Sequence, residues 1–211
     1  MNKNRCVIVA GGEVTNPKRI REEIHPETDY IIYCDCGLAH KEMLGVEPDL
    51  IVGDFDSYAE PETTVEKIVL PTEKDDTDSI FAVKTAIARG YTHFLLIGML
   101  GGRMDHSLGN LYALVDLHHR GLHGKILCGD SDYRIVGKQT VTIPDDCRYF
   151  SLVNLTGLAK GITITGAKYP LADGEILPEY QYGISNEVIP GQTAQVCVQE
   201  GELLLIRIFK A

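Results

Sequence analysis

Tryptophan is absent from this 211-residue chain, and aromatic residues of all kinds make up 7% of it. Platforms on which nucleic-acid bases stack are therefore not expected. Basic residues are in the minority, 20 against 30 acidic, for a formal charge of −10. That balance argues against a nucleic-acid partner held through its phosphates. Long apolar runs are also missing. Nothing approaches the roughly 18 residues of a membrane span, so no membrane partner is expected. The segment Cys6–Ala10, close behind the start, is too short for a signal-peptide core. The six cysteines lie apart except for Cys34 and Cys36, and no C-x-x-C pair occurs. Reduced thiols and a cytoplasmic location are the expectation.

What is present is ordinary for a globular protein: 44% hydrophobic and 24% charged residues, in a length that suits one large domain or two small ones. Apolar runs at Cys6–Ala10, Tyr30–Tyr33, Leu50–Val52, Lys67–Leu70, Phe94–Ile97 and Lys125–Cys128 show little alternation. Strands buried on both faces of a parallel sheet read this way. Between them, Ile80, Val83 and Ile87 recur at helical spacing behind Asp76-Thr77-Asp78, a cluster suited to capping a helix. Leu108, Leu111, Ala113, Leu114 and Leu117 mark a second helix that ends near Gly121. Strand–helix alternation predicts a doubly wound, mostly parallel α/β domain over residues 1–138. From residue 139 the pattern becomes Val141/Ile143, Ile162/Ile164 and Val196/Val198, punctuated by Gly and Pro. That predicts a smaller all-β unit over 139–211.

In an open α/β sheet the ligand site lies beyond the carboxyl ends of the strands. Acids stand there repeatedly: Asp35 after one run, Asp54 and Asp56 after the next, then Asp75, Asp76 and Asp78, and Asp105 behind a glycine turn. Any one of them suits a turn or a helix cap. Together they describe a carboxylate cluster whose mutual repulsion a divalent cation relieves, and Mg²⁺ prefers such oxygen ligands together with phosphate. The turn Gly98–Asp105 contains Gly101, Gly102 and Arg103, so a backbone able to approach a phosphate is joined to a fork-shaped cationic donor. It is neither a Walker motif nor a G-x-G-x-x-G motif. Gly11-Gly12 serves either as a similar cradle or as a plain turn. Lys74 is placed to neutralise phosphate charge or to stand as a solvated loop lysine. His118, His119 and His123 read better as a surface helix end than as a metal tract. Cys34 and Cys36 read as small buried residues rather than reactive thiols.

Taken together, Gly53-Asp54-Phe55-Asp56-Ser57, Glu73-Lys74-Asp75-Asp76-Thr77-Asp78, Gly101-Gly102-Arg103-x-Asp105-His106-x-x-x-Asn110 and Gly183-Ile184-Ser185-Asn186-Glu187 resemble the motifs of the thiamine pyrophosphokinase (thiamine diphosphokinase) family, in its order and spacing. The resemblance implies an α/β catalytic domain followed by a β-sandwich domain, and a homodimer with active sites between subunits. It also implies transfer of pyrophosphate from ATP to the hydroxyl of thiamine, giving thiamine diphosphate and AMP. Carried over by motif, Asp54, Asp56 and Asp78 hold Mg²⁺ with Asp35 and Asp105 close by. Lys74, Asp75, Gly101, Gly102, Arg103 and Asp105 form the ATP site, and Ser185 and Asn186 meet thiamine. The chain departs from the family in carrying Cys36 where a small residue is usual after the acid. No ring lies within Gly183–Glu187, so a ring stacked on thiamine comes from elsewhere, with Tyr180 and Tyr182 nearest in sequence.

The expected chemistry is in-line attack of the hydroxyl on the β-phosphorus, catalysed by positioning and charge neutralisation. Asp105 or Asp75 is the expected proton acceptor, and an acidic cleft suits the cationic thiazolium ring. Two rivals remain open at this stage. Asp54-Phe55-Asp56 behind an apolar strand also suits a haloacid-dehalogenase-like phosphatase. A non-catalytic nucleotide or thiamine-phosphate sensor is the other.

Overall fold

The computed structural model describes residues 4–56 and 58–210; the first three residues, Ala211 and Ser57 of the acidic motif lie outside the described residues. The chain forms two compact units, Met1–Gly129 and Asp130–Ala211.

The first unit is built on parallel strands β1 (Arg5–Val9), β2 (Asp29–Cys34), β3 (Leu50–Gly53), β4 (Glu66–Val69), β5 (His93–Ile97) and β6 (His123–Cys128). Their order is β4-β3-β2-β1-β5-β6, and every neighbouring pair is parallel. The unalternating runs are explained by burial, since Cys6, Val7, Ile8, Val9, Leu96 and Ile97 are all fully buried. Strand order reverses at β1, which has β2 on one side and β5 on the other. Such a reversal opens a crevice at the carboxyl ends of the two strands flanking it.

Four helices accompany the sheet: α1 (Pro17–Glu23), α2 (Lys41–Leu44), α3 (Asp78–Ala88) and α4 (Met104–His119), with a 3₁₀ turn over Asp35–His40 leading into α2. Helix α1 follows an Asn16 cap with Pro at its first turn, yet buries only Ile20. One buried residue in seven leaves no period to read, which is why the apolar pattern did not reveal it. In α3 the buried residues are Ser79, Ala82, Val83 and Ala86, whereas Ile80 and Ile87 are only half-buried. The helix packs on β1, β2 and β3 through its small residues, because small side chains permit close approach. Helix α4 buries Ala113, Leu114 and Leu117 as expected, but Leu108 is exposed and Ser107 and Asn110 take the inner positions.

The second unit contains β7 (Ser131–Val136), β8 (Val141–Pro144), β9 (Cys147–Val153), β10 (Ala159–Thr165), β11 (Leu171–Glu175), β12 (Thr193–Cys197), β13 (Glu200–Gly201) and β14 (Leu203–Phe209). Strand β14 pairs antiparallel with β7 and β9. Strand β10 pairs antiparallel with β11, β12 and β13, and β12 pairs with β8. Phe150, Leu152, Leu203 and Leu205 from the first set meet Ile143, Ile162, Ile164 and Val196 from the second in one apolar core. Two antiparallel layers around a shared core make a β-sandwich. The unit begins before residue 138, because β7 is a full partner of β14 from Val136↔Leu203 to Ser131↔Ile208. The segment 131–136 is not among the expected strands, since Asp132 and Arg134 leave no continuous apolar run there.

Candidate active site

At the crevice beside β1, a cavity of about 750 Å³ is lined from several strand ends at once. Ala10–Glu13 enter from the end of β1, Cys34–Cys36 from β2, Asp54 and Asp56 from β3, and Gly98, Met99, Gly101 and Gly102 from β5. The starts of α3 and α4 add Thr77, Asp78, Ser79, Arg103, His106 and Asn110, while Lys74 and His40 complete the wall. A cavity of this size accommodates a nucleotide-sized ligand.

The loops that shape it are laced together by backbone. The Gly12 N–H donates to the Gly98 carbonyl (2.7 Å), and the Glu13 N–H donates to that of Leu100 (2.8 Å). A Cβ on Gly12 would lie 2.5 Å from both of those carbonyl oxygens, so only glycine fits there. Gly11-Gly12 is thus a packing turn whose second amide is already used. Gly101 is similar: its N–H donates to Ser107 Oγ (3.1 Å), and Ser107 in turn donates to the Arg103 carbonyl. Gly102, at φ +67° with open space around its Cα, keeps the freedom expected of a cradle.

The acids do not all arrive at the same point. Asp35, Asp54 and Asp78 each offer a carboxylate oxygen such that these atoms lie within 4.8 Å of one another. Asp35 is buried at 6% exposure, adopts φ +27°, and its Oδ1 has no hydrogen-bond partner. A buried carboxylate oxygen without a partner is costly unless a cation answers it, and a strained backbone at such a point marks a site under functional constraint. The Lys74 ammonium bridges the other two acids, donating to Asp54 and lying 3.0 Å from Asp78. Its hydrogen bond holds the Asp54 carboxyl below the usual range, although burial opposes this. Burial pushes Asp78 the other way, helped by the charges of Asp54 and Asp35 and opposed by Lys74. Burial also works against the charge on Lys74, but its bonds to Asp54 and Asp78 outweigh that and raise its pKa. Lys74 is therefore an internal ion-pair partner of two of the three acids and not a solvated loop lysine.

The remaining acids of the motifs sit differently. Asp56 lines the cavity but is exposed and outside the trio, with its backbone N–H donating to Asp54 Oδ1 (3.3 Å). Asp75 is exposed and is not part of the cavity wall, and Asp76 pairs with Lys84 at 2.6 Å. Asp105 also stands outside the wall. It grips Arg103 at 2.6 Å, both side chains being well exposed, and its carboxyl is held down to about 2 by the Arg103 hydrogen bond and the His106 N–H. Asp105 thus anchors Arg103 beside the cavity mouth.

Sequence reasoning missed two other residues of the wall. His40 Nε2 donates to the Gly12 carbonyl (2.8 Å) from the 3₁₀ turn. Ser79 donates to Asn110 Oδ1 (3.0 Å), and Asn110 Nδ2 donates to the Met99 carbonyl (2.7 Å), joining α3, α4 and the end of β5. The polar residues on the inner face of α4 were the available signal. In the histidine tract, His123 stacks on His93 with centroids 4.6 Å apart, and among the described residues the candidate metal group is Asp35, Asp54 and Asp78.

Residues 22–126 match the model of the thiamin pyrophosphokinase catalytic domain, and residues 138–203 match that of the thiamin pyrophosphokinase vitamin B1 binding domain. The chain belongs to the thiamin pyrophosphokinase family. Thiamine diphosphokinase activity goes with that membership, and neither the dehalogenase-like phosphatase nor the sensor is favoured. A protein described as thiamine pyrophosphokinase from Bacillus subtilis (strain 168) is 29% identical over 211 residues, covering 95% of this chain and 96% of its own. A crystal structure of a thiamin pyrophosphokinase family protein from Enterococcus faecalis is 28% identical, with a TM-score of 0.81 over 98% of this chain and all of its own. The crystal structure of the Bacillus subtilis protein, at 24% identity and a TM-score of 0.86 over 98% of this chain and all of its own, shows the same fold. No helix among the described residues is long and apolar enough to cross a membrane.

In the Gly183–Glu187 segment, the Asn186 side chain clamps the backbone of its neighbours. It is buried, its Oδ1 accepts from the Tyr169 N–H (3.1 Å) and the Glu187 N–H (2.9 Å), and its Nδ2 donates to the Tyr169 carbonyl (2.8 Å). Ser185 is exposed at φ +59°, and its N–H donates to Ser151 Oγ (3.0 Å). Tyr180 and Tyr182 are exposed with ring centroids 5.5 Å apart, and Tyr182 is tied to the Glu175 carbonyl (2.7 Å).

Proposed function

We propose that this thiamine diphosphokinase uses ATP as donor: the thiamine hydroxyl attacks the β-phosphorus in line, the new O–P bond forms, the bond to the α-phosphate oxygen breaks, AMP leaves, and the hydroxyl proton passes to water. The observation that carries this reading is the convergence of Asp35, Asp54 and Asp78 at the topological switch point, with the orphaned Asp35 Oδ1 among them. Those residues fit a divalent cation of the Mg²⁺ class, which prefers carboxylate and phosphate oxygens. Such a cation supplies charge neutralisation for the polyphosphate.

The chain's own residues do the rest. Lys74, bridging Asp54 and Asp78, is within the wall and supplies a cation to phosphate oxygens once those acids are otherwise engaged. Arg103 is held at the rim by Asp105 and presents its fork to the same group. Gly102 leaves the backbone open for close approach. Asp56 reaches the cavity from beside Asp54 and tunes its neighbour rather than joining the trio. Transfer of this kind rests on positioning more than on a strong base, so neither Asp75 nor Asp105 is needed as proton acceptor.

Ser185, Tyr180 and Tyr182 are the residues we assign to thiamine, with Asn186 fixing the segment that presents them. We assign the working state as a homodimer with thiamine bound at its interface, supported by exposed Tyr169, Tyr180, Tyr182 and Ile184 in one part of the second unit. A cytoplasmic location is supported by six cysteines outside any disulfide.

Incubating the protein with ATP, Mg²⁺ and thiamine tests the reaction. AMP and thiamine diphosphate in equal amounts are expected, while ADP with thiamine monophosphate overturns the reading. Asp54→Asn should lower turnover by at least about 100-fold, and Asp56→Asn by less. Equal losses overturn the placement of Asp56 outside the trio.

A further inference from the structure

Two members of the acid trio are fixed by the sheet and the third is not. Asp35 and Asp54 directly follow β2 and β3, whose ends are paired at Cys34↔Val52 and, one strand further, at Gly53↔Val69. Asp78 instead opens helix α3, where no strand pairing reaches it. Its carboxylate does not locate it either. Among the described residues, the buried Oδ1 is met by the Lys74 ammonium, at 3.0 Å, and a lysine on its flexible stem follows the acids it serves rather than placing them. What holds the start of α3 is the next residue. Ser79 Oγ donates to Asn110 Oδ1 (3.0 Å), and Asn110 Nδ2 donates to the Met99 carbonyl (2.7 Å), just beyond the end of β5. Both side chains are buried. One turn earlier on α4, Ser107 Oγ accepts from the Gly101 N–H (3.1 Å), so the same helix face also holds the glycine turn.

We propose that Ser79 and Asn110 are positioning residues for the cation: their two bonds tie the start of α3 to the end of β5, and so set the Asp78 carboxylate where it shares one ion with Asp35 and Asp54. The trio's oxygens lie within 4.8 Å of one another. An ion of the Mg²⁺ class demands near-ideal octahedral geometry, so a small retreat of one acid costs binding. Groups standing behind metal ligands control affinity for this reason. What separates this pair from ordinary buried polar residues is where their bonds begin and end. The chain of bonds starts beside Asp78 and finishes on the turn that carries Gly101 and Gly102. In this role both residues act through Asp78 and not on the substrate. The inference rests on the reading of the trio as a cation site, and is independent of which phosphorus is attacked.

Mn²⁺, which suits the same oxygen ligands as Mg²⁺, serves as the probe. Its binding to the full chain is measured without substrates, from the paramagnetic resonance of the free ion, on protein shown to be folded by circular dichroism. Ser79→Ala should weaken Mn²⁺ binding at least about fivefold and Asn110→Ala about tenfold. The double variant should bind no more weakly than Asn110→Ala, because both substitutions cut one link. A merely structural role would lower the melting temperature in EDTA without moving the affinity of the folded protein. Ser79→Ala keeps the Asn110–Met99 bond, so the test stands even where Asn110→Ala does not fold. Unchanged affinity in folded Ser79→Ala overturns the inference and leaves the trio standing as a cation site. Additive losses in the double variant overturn it as well. No Mn²⁺ uptake by the unmodified protein overturns the trio itself and the inference with it.

Discussion

Lys74 shows how one side chain changes meaning between sequence and structure. In the run Glu73-Lys74-Asp75-Asp76-Thr77-Asp78 it has acids on both sides, and nothing local says which of them it serves. Folding pairs it with Asp54, twenty positions away in the chain, and with Asp78. Its immediate neighbours, Asp75 and Asp76, point elsewhere. Ser57 of the acidic motif lies outside the described residues. Tyr33 makes the same point in the core. It is fully buried, its hydroxyl donates to the Val46 carbonyl (3.0 Å), and burial pushes its ionisation well above the ordinary value of 10. Because the folded pKa lies above the unfolded one, the neutral phenol's contribution is complete below pH 10 and is lost as the pH rises past it. Urea denaturation between pH 8 and pH 11.5 should therefore show stability falling at the alkaline end. Tyr33→Phe should fall less steeply over that window, and parallel curves contradict the assignment.

Among the elements, the strands were legible and the helix faces were not. Six apolar runs correspond to β1–β6. In β1, β2, β3 and β5 burial on both faces requires apolar residues at nearly every position, whereas the edge strand β4 is exposed at Glu66 and Val69. Helices α3 and α4 were placed correctly along the chain, but their inner faces carry Ser79, Ala82, Ser107 and Asn110. Those residues face a polar cavity and a close helix contact, and neither condition leaves an apolar stripe. Thr77 caps α3 by accepting from the Ile80 N–H (3.4 Å), as the capping cluster predicts. Thr77→Ala should cost about 1 kcal/mol. Asn110→Ala should cost more, about 1–3 kcal/mol, because it takes the side-chain donor from the Met99 carbonyl and leaves the buried Ser79 hydroxyl only its contact with Thr77 Oγ1. Equilibrium urea unfolding of both variants checks the order, and an Asn110→Ala loss smaller than that of Thr77→Ala contradicts the network.

For the whole molecule, cation binding and folding are linked, because the trio is assembled only in the folded chain. A ligand that binds the folded state alone stabilises it by about 2.7 kcal/mol at a hundred times its dissociation constant. Saturating Mg²⁺ should therefore raise the melting temperature relative to excess EDTA, and Asp54→Asn should abolish most of the rise. An equal rise in the variant would place the cation elsewhere. The second unit contains a similar pairing. There Arg207 is held between the buried Asp132 (Nε–Oδ1 3.0 Å) and Asp146 (3.2 Å), as Lys74 is held between Asp54 and Asp78 in the first unit.

By itself, the sequence determined the six parallel strands, helices α3 and α4, the change to an all-β unit, and the positions along the chain where carboxylates follow strands, because burial and capping act over a few neighbouring residues. Tertiary structure alone decided which of those acids meet. Asp35, Asp54 and Asp78 converge because β2 and β3 end, and α3 begins, at one crevice. Asp56, Asp75 and Asp105, equally acidic and equally close to a strand end, turn to solvent, to a neighbour or to Arg103. The distance between two carboxylates far apart in the chain is a property of the sheet, and no local pattern encodes it.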